Sequence, residues 1–73
     1  MIDVPKLKGA IVAAGHTQRS LAKEIGISEA TMYNKTKAGV FGSDEISKMI
    51  DILGLPQDKW QDIFFAKENN RQL

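Results

Sequence analysis

The sequence predicts an all-α protein built from five short helices. Apolar residues recur at spacings of three and four along successive segments, as they do on the buried face of a helix. Glycines at Gly15, Gly26 and Gly54 follow three of these segments, and glycine readily adopts the left-handed conformation that ends a helix. No segment has the alternating pattern of a strand. At 73 residues the chain has room for one hydrophobic core, so the helices belong to one domain.

The first helix is predicted over residues 4–14. Asp3 lies near its N-cap, and Pro5 falls in its first turn, where the missing N–H costs nothing. Gly15 ends the helix, and His16 lies in the connector that follows. The inner face is predicted to consist of Val4, Leu7, Ile11 and Ala14.

The second helix is predicted over residues 18–25, with Thr17 as its N-cap and Gly26 just past its end. Ala22 is small, which permits close approach of a neighbouring helix. The buried stripe consists of Leu21 and Ile25.

The third helix is predicted over residues 28–37 and follows after a very short turn. Ser28 caps it, Ile27 fills the corner between the two helices, and Met32 directs one face toward the second helix. The two helices and their glycine turn form a helix-turn-helix.

The fourth helix is predicted over residues 44–53, capped near Ser43, and the fifth opens at Pro56. The core face of the fourth helix is predicted to be Ile46, Met49, Ile50 and Leu53. The fifth helix is predicted to cover the open side of the bundle with Trp60, Ile63 and Phe64. The chain is therefore predicted to form a helix-turn-helix domain over residues 1–65 and a polar C-terminal tail over residues 66–73.

This order of segments resembles the lambda-repressor and Cro-like (XRE-type) family over roughly residues 4–65. The resemblance continues past the helix pair through Asn34-Lys35-Thr36-Lys37-Ala38-Gly39, Leu53-Gly54-Leu55-Pro56 and Ile63-Phe64-Phe65. Many relatives carry an aliphatic residue where Lys35 stands and a larger apolar residue where Thr36 stands. The resemblance implies a five-helix lambda-repressor-like DNA-binding domain, similar to the small phage Cro and repressor proteins, that acts as a transcription regulator.

The outward face of the third helix is the predicted base-reading surface. Ile27 and Met32 mark its inside, so the polar residues between and beyond them face outward. The resemblance implies that the residues meeting base edges or adjacent phosphates are Ser28, Glu29, Ala30 and Asn34. Their chemistry is suitable, because Asn34 can pair with adenine, Glu29 can accept from the cytosine amino group and Ala30 can contact a thymine methyl.

The predicted phosphate contacts surround this face and consist of Thr17, Gln18, Tyr33, Lys35, Lys37 and Ser43. Gln18 begins the second helix, where unpaired N–H groups and the positive end of the dipole attract phosphate. Lys35 and Lys37, with the start of the fourth helix at Ser43, form a second candidate clamp. Thr17 is equally well explained as a helix cap.

The charge distribution agrees with one DNA-facing end. The formal net charge is only +1, but residues 1–43 contain six basic and three acidic side chains, whereas residues 44–73 contain four basic and six acidic ones. An ordinary solvated surface would also explain this asymmetry.

Catalysis, metal binding and cofactors are not expected. The chain has no cysteine and one histidine, and its serines lack a general base with an acidic partner. No glycine-rich stretch matches a nucleotide-binding signature. No apolar run has the length of a signal peptide core or a membrane span, which predicts a location in the bacterial cytoplasm, at the nucleoid, without membrane contact.

Phe64 and Phe65 are adjacent, so a small bundle cannot readily bury both rings, and Ile52 lies off the predicted core stripe. These three residues predict an apolar dimer interface. A homodimer would bind double-stranded operator DNA at pseudo-palindromic half-sites. Two other functions fit the sequence: a small phage modulator or antirepressor that binds another repressor, for which Glu29 and the low net charge argue, and an antitoxin-like protein.

Overall fold

The computed structural model describes residues 2–65, which form five helices and no strand. The helices are α1 (Val4–Ala13), α2 (Gln18–Ile25), α3 (Glu29–Ala38), α4 (Ser43–Leu53) and α5 (Gln57–Phe64). The prediction of an all-α fold with five helices is confirmed. The tail predicted over residues 66–73 lies outside the described residues.

Side-chain caps begin the first three helices as the sequence predicts. In each case an oxygen of the capping side chain accepts the backbone N–H three residues later at 3.0 Å. The caps are Asp3, Thr17 and Ser28. These bonds satisfy N–H groups that the helix itself leaves without acceptors, so the starts of α1, α2 and α3 are defined locally.

Three predicted helices have bounds that differ from the observed ones, and α3 runs over Glu29–Ala38 and not over residues 28–37. The first helix ends at Ala13, and Ala14 is its exposed C-cap, not part of the inner face. Gly15 follows in the left-handed conformation, with φ of +79°. The N-cap of α4 is Gly42, so Ser43 is the first helical residue and does not cap the helix.

The helices pack around α2, which contacts α1, α3 and α4, while α5 packs against α1. The backbone N–H of Asp3 donates to the carbonyl of Ile63 at 2.7 Å and ties the start of the chain to α5. The buried apolar residues are Leu7, Ile11, Leu21, Ala22, Ile25, Met32, Phe41, Met49, Leu53, Ile63 and Phe64. Phe64 is only 3% exposed, so its predicted place in a dimer interface is wrong and the ring belongs to the core.

Within residues 2–65, no helix combines the length and the apolar character needed to cross a membrane.

Candidate nucleic-acid interface

The α2–α3 corner fixes the orientation of α3. Gly26 has φ of +86°, a left-handed value that glycine adopts without strain from a Cβ atom. The Ala22 carbonyl accepts the N–H groups of both Gly26 and Ile27, at 2.9 and 3.0 Å. On the other side of the corner, Met32 is completely buried. One face of α3 is therefore held by α2, and the opposite face is left to solvent.

Every residue predicted to read bases is exposed, either at the N-cap of α3 or on the helix itself. Ser28, Glu29, Ala30 and Asn34 are all exposed. Tyr33 lies beside them with 59% of its surface exposed. Near the start of α3, Arg19 Nε lies 3.7 Å from Glu29 Oε1. Because both side chains are largely exposed, this ion pair contributes little to stability.

Three predicted phosphate contacts meet at one small cavity beside this face. The cavity has a volume of about 140 Å³ and is lined by Lys8, Gln18, Tyr33, Thr36 and Lys37. Gln18, Tyr33 and Lys37 come from the sequence prediction. Lys8 and Thr36 were not predicted as cavity residues, because only the packing of α1 against α2 and of α2 against α3 brings them there. The sequence contains no local signal for that arrangement.

The start of α2 at this cavity is only partly capped. Thr17 Oγ1 accepts the Ser20 N–H, and Ser20 Oγ accepts the Thr17 N–H at 2.9 Å. The N–H groups of Gln18 and Arg19 have no acceptor among the described residues. Thr17 thus acts as a cap, and the next two N–H groups stay available to a ligand at the positive end of the helix dipole.

Among residues 2–65, Thr36 is the one buried polar residue. It is 1% exposed, and its Oγ1 atom has no hydrogen-bond partner. In a helix, a threonine hydroxyl commonly bonds to a carbonyl one turn earlier, and Thr36 does not. A buried hydroxyl without a partner is destabilising, so this residue is unusual for a core position.

At the second clamp that the sequence predicts from Lys35, Lys37 and Ser43, the structure shows Lys35 in an ion pair. Lys35 Nζ donates to both carboxylate oxygens of Glu45, at 2.8 and 2.7 Å. Glu45 Oε1 also accepts the Gly42 N–H at 2.8 Å. The Lys35 amine is therefore engaged within the protein and joins the end of α3 to the start of α4. Asp44 and Glu45 lie in the first turn of α4, and their negative charge disfavours a phosphate at Ser43.

The hydrogen bond from Lys35, together with that from the Gly42 N–H, holds the pKa of Glu45 below its ordinary value of 4.5. The Glu45 side chain is 13% exposed, so water screens this ion pair less than a surface pair. The interaction therefore makes the α3–α4 connection sensitive to acid.

The remaining members of the predicted dimer interface differ in exposure. Phe65 is 38% exposed, and its ring meets the edge of Trp60 with centroids 5.9 Å apart. Ile52 is half-buried and packs against the core. Phe65 is thus the one residue of the three with a substantial free apolar surface.

Groups of three or more side chains suited to metal coordination are absent from residues 2–65. His16 Nδ1 lies 3.0 Å from Ser20 Oγ, within hydrogen-bond distance. The histidine therefore packs at the start of α2.

The chain belongs to the family described as "Protein of unknown function (DUF739)", whose model matches residues 1–67. The match spans all five helices and the residues that line the cavity. No curated protein and no solved structure matches the chain.

Glu45→Gln is expected to flatten the dependence of stability on acid. Because the folded-state pKa of Glu45 is lowered, its contribution is complete above the ordinary value of 4.5 and is lost as pH falls through the folded-state pKa. The variant should lose about 1–2 kcal/mol of unfolding free energy at pH 7, and its difference from the original chain should shrink as pH falls below 4.5. Urea unfolding followed by circular dichroism across this range measures the effect.

Asp44→Asn is the matched control, since it removes an exposed carboxylate from the same turn. It should keep most of the acid dependence. Parallel stability curves for Glu45→Gln and the original chain would contradict the role assigned to the ion pair.

Proposed function

For this member of the DUF739 family, we propose sequence-specific binding of double-stranded DNA by a lambda-repressor-like helix-turn-helix domain. The chain acts as a transcription regulator of the Cro type, which represses by occupying a promoter. Helix α3 enters the major groove, and its N-terminal half lies nearest the base edges. No cofactor or catalytic step is part of this function.

The supporting observation is the division of α3 into two faces. Met32 and Thr36 are buried, whereas Glu29, Tyr33 and Asn34 are exposed on the side away from the core. A helix whose only role was to stabilise the bundle could carry any polar residues on its outer face. Here that face combines an amide, a carboxylate and an alanine methyl, which can make three distinct base-edge contacts.

The cavity at the start of α2 supports the same proposal. It lies beside the exposed face of α3, because Tyr33 and Lys37 of α3 line it together with Gln18 of α2. Base contacts alone do not hold a protein in register on a duplex, and phosphate contacts next to the reading helix do so. The base-reading and phosphate-binding groups thus occupy neighbouring positions.

Selection of binding sites from a random DNA library, followed by a mobility shift with the recovered sequences, tests the proposal directly. Enrichment of a pseudo-palindromic sequence is the expected result. Failure to enrich any sequence, combined with a shift only when a neighbouring repressor protein is present, would instead indicate the modulator function.

Asn34→Ala is expected to weaken binding to the selected DNA by about 1–3 kcal/mol and to relax the preference at one base pair. The amide of Asn34 can make two hydrogen bonds to adenine, and alanine can make neither. Gln57→Ala removes an exposed amide from the start of α5 and should leave affinity unchanged. Equal losses for Asn34→Ala on selected and random DNA would refute its role in base reading.

Lys37→Gln should change the salt dependence of DNA binding, whereas Lys35→Gln should change the stability of the fold. Lys37 lines the cavity and makes no ion pair among the described residues, so its loss should weaken binding to all sequences and lower the magnitude of the salt slope by about one. Lys35 is engaged by Glu45, so its loss should leave the salt slope unchanged and lower the stability of the fold. Affinity measured at several salt concentrations, together with urea unfolding, separates the two. A lower salt slope for Lys35→Gln, with an unchanged slope for Lys37→Gln, would contradict the proposed phosphate contacts.

The dimer is part of the proposal and depends on Phe65. Phe65→Lys should preserve helical content while shifting sedimentation toward the monomer, because the exposed ring would no longer pack against a second copy. Val12→Lys changes another exposed apolar residue, on α1, and should leave association intact. Phe64→Ala should instead cost about 3–5 kcal/mol of stability, since that ring is in the core. A dimer that survives Phe65→Lys would place the interface elsewhere.

A further inference from the structure

A groove with an apolar floor runs between α1, the end of α4 and α5, and no residue of α2 or α3 lines it. Leu53 and Ile63 reach it from the core, and Leu55 and Pro56 of the α4–α5 connector extend the apolar surface. Its volume is about 480 Å³. Sites for small molecules are mostly apolar clefts of roughly 300–1,000 Å³ that contain a few polar groups, so the groove has the size and the lining of such a site.

Gly9 leaves space in the wall that α1 contributes to the groove. It lies inside the helix, where glycine is less favourable than alanine. Its φ is not positive, and a Cβ atom at this position would meet nothing within 4 Å. Neither the backbone conformation nor packing among the described residues therefore accounts for a glycine here. Because Gly9 lines the groove, a larger side chain would narrow it.

The charged residues of the groove leave one ammonium group available. They are Lys6, Lys59 and Asp62. Lys6 Nζ donates to Asp62 Oδ2 at 2.6 Å, so these two charges compensate each other and join α1 to α5. Lys59 takes part in none of the three ion pairs of the described residues. The groove thus combines an apolar surface with one cation that has no acidic partner.

We propose that this groove binds a small carboxylic acid with an apolar body, whose carboxylate lies at Lys59 and whose body covers Leu55 and Pro56. One ammonium group matches one negative charge, and the apolar floor favours a ligand that leaves water over most of its surface. A multiply charged anion would place charge against apolar side chains, which is unfavourable. A cavity of about 150 Å³ holds a benzene molecule, so the groove has room for a body of one or two rings. The site is independent of DNA binding, because α2 and α3 contribute nothing to it.

Titration of the full chain with hydrocinnamate, a phenyl ring joined to a carboxylate by two methylene groups, tests the site without DNA. Saturable shifts of the Gly9, Ala13 and Leu55 amide resonances are expected, whereas those of Glu29 and Asn34 on α3 should not move. Hydrocinnamyl alcohol has the same apolar body without the charge, and it should bind about threefold more weakly, since an exposed ion pair contributes little. Acetate at equal ionic strength should give no saturable shift.

Gly9→Leu tests the space in the groove. The variant should weaken hydrocinnamate binding about tenfold, because its side chain occupies the groove. It should also raise the midpoint of thermal unfolding, since leucine favours a helix more than glycine does, and the weaker binding then does not result from a damaged fold. Gly9→Ala should change both quantities in the same directions by smaller amounts. Val12→Leu alters an exposed position of α1 outside the groove and should leave the affinity unchanged.

Lys59→Gln tests the charge. It should weaken hydrocinnamate binding about threefold and leave the affinity for hydrocinnamyl alcohol unchanged. Lys48→Gln removes the same charge from an exposed position of α4 outside the groove and should affect neither ligand.

Shifts that rise linearly with hydrocinnamate, or equal affinities of Gly9→Leu and the original chain, would overturn the site. Equal binding of the acid and the alcohol would refute a carboxylic acid as the ligand. Shifts of the same amides with protein concentration alone would assign the groove to a second copy of the chain and refute a small molecule. The DNA selection separates these results from a failure of the proposed function: saturable hydrocinnamate binding without enrichment of any DNA sequence supports the groove and counts only against DNA binding.

Discussion

Close contact at Ala22 is the constraint on which the rest of the structure depends. Its side chain is 1% exposed, and its carbonyl accepts both N–H groups of the turn that follows α2. A larger residue here would separate α2 from α3 and break the corner that orients the exposed face of α3. Since α2 also contacts α1 and α4, the same displacement would spread through most of the bundle.

The consequence is that one helix serves both the core and the surface. The inner face of α2 holds Leu21, Ala22 and Ile25, while in its first turn the N–H groups of Gln18 and Arg19 have no acceptor among the described residues. Lys35 and Glu45 perform a related task at the other end of α3 by joining it to α4. Helix α3 is thus fixed at both ends, which a helix must be if its side chains are to meet a rigid partner in one register.

Features that depend on near neighbours in the chain could be predicted from the sequence. The caps Asp3, Thr17 and Ser28 each bond three residues ahead, and the five helices follow from apolar spacing and glycine positions. Helix ends were less predictable: Ala14 is apolar but exposed, because a left-handed residue directly after it ends the helix.

Features created by distant contacts could not be predicted in the same way. The Lys35–Glu45 ion pair joins two helices across a loop, and Phe41 is buried although it lies in that loop. Lys8 reaches the cavity only because α1 packs on α2. The missing hydrogen bond of Thr36 is visible only in the packed structure.

The edge contact between Trp60 and Phe65 gives the molecule a built-in optical probe. Trp60 is the only tryptophan of the chain, it is half-buried, and the neighbouring ring is the exposed apolar side chain at the end of α5. Helix α5 packs against α1, whereas α3 packs against α2. Indole emission therefore reports on events at the end of α5, and the exposed face of α3 lies on a different helix pair.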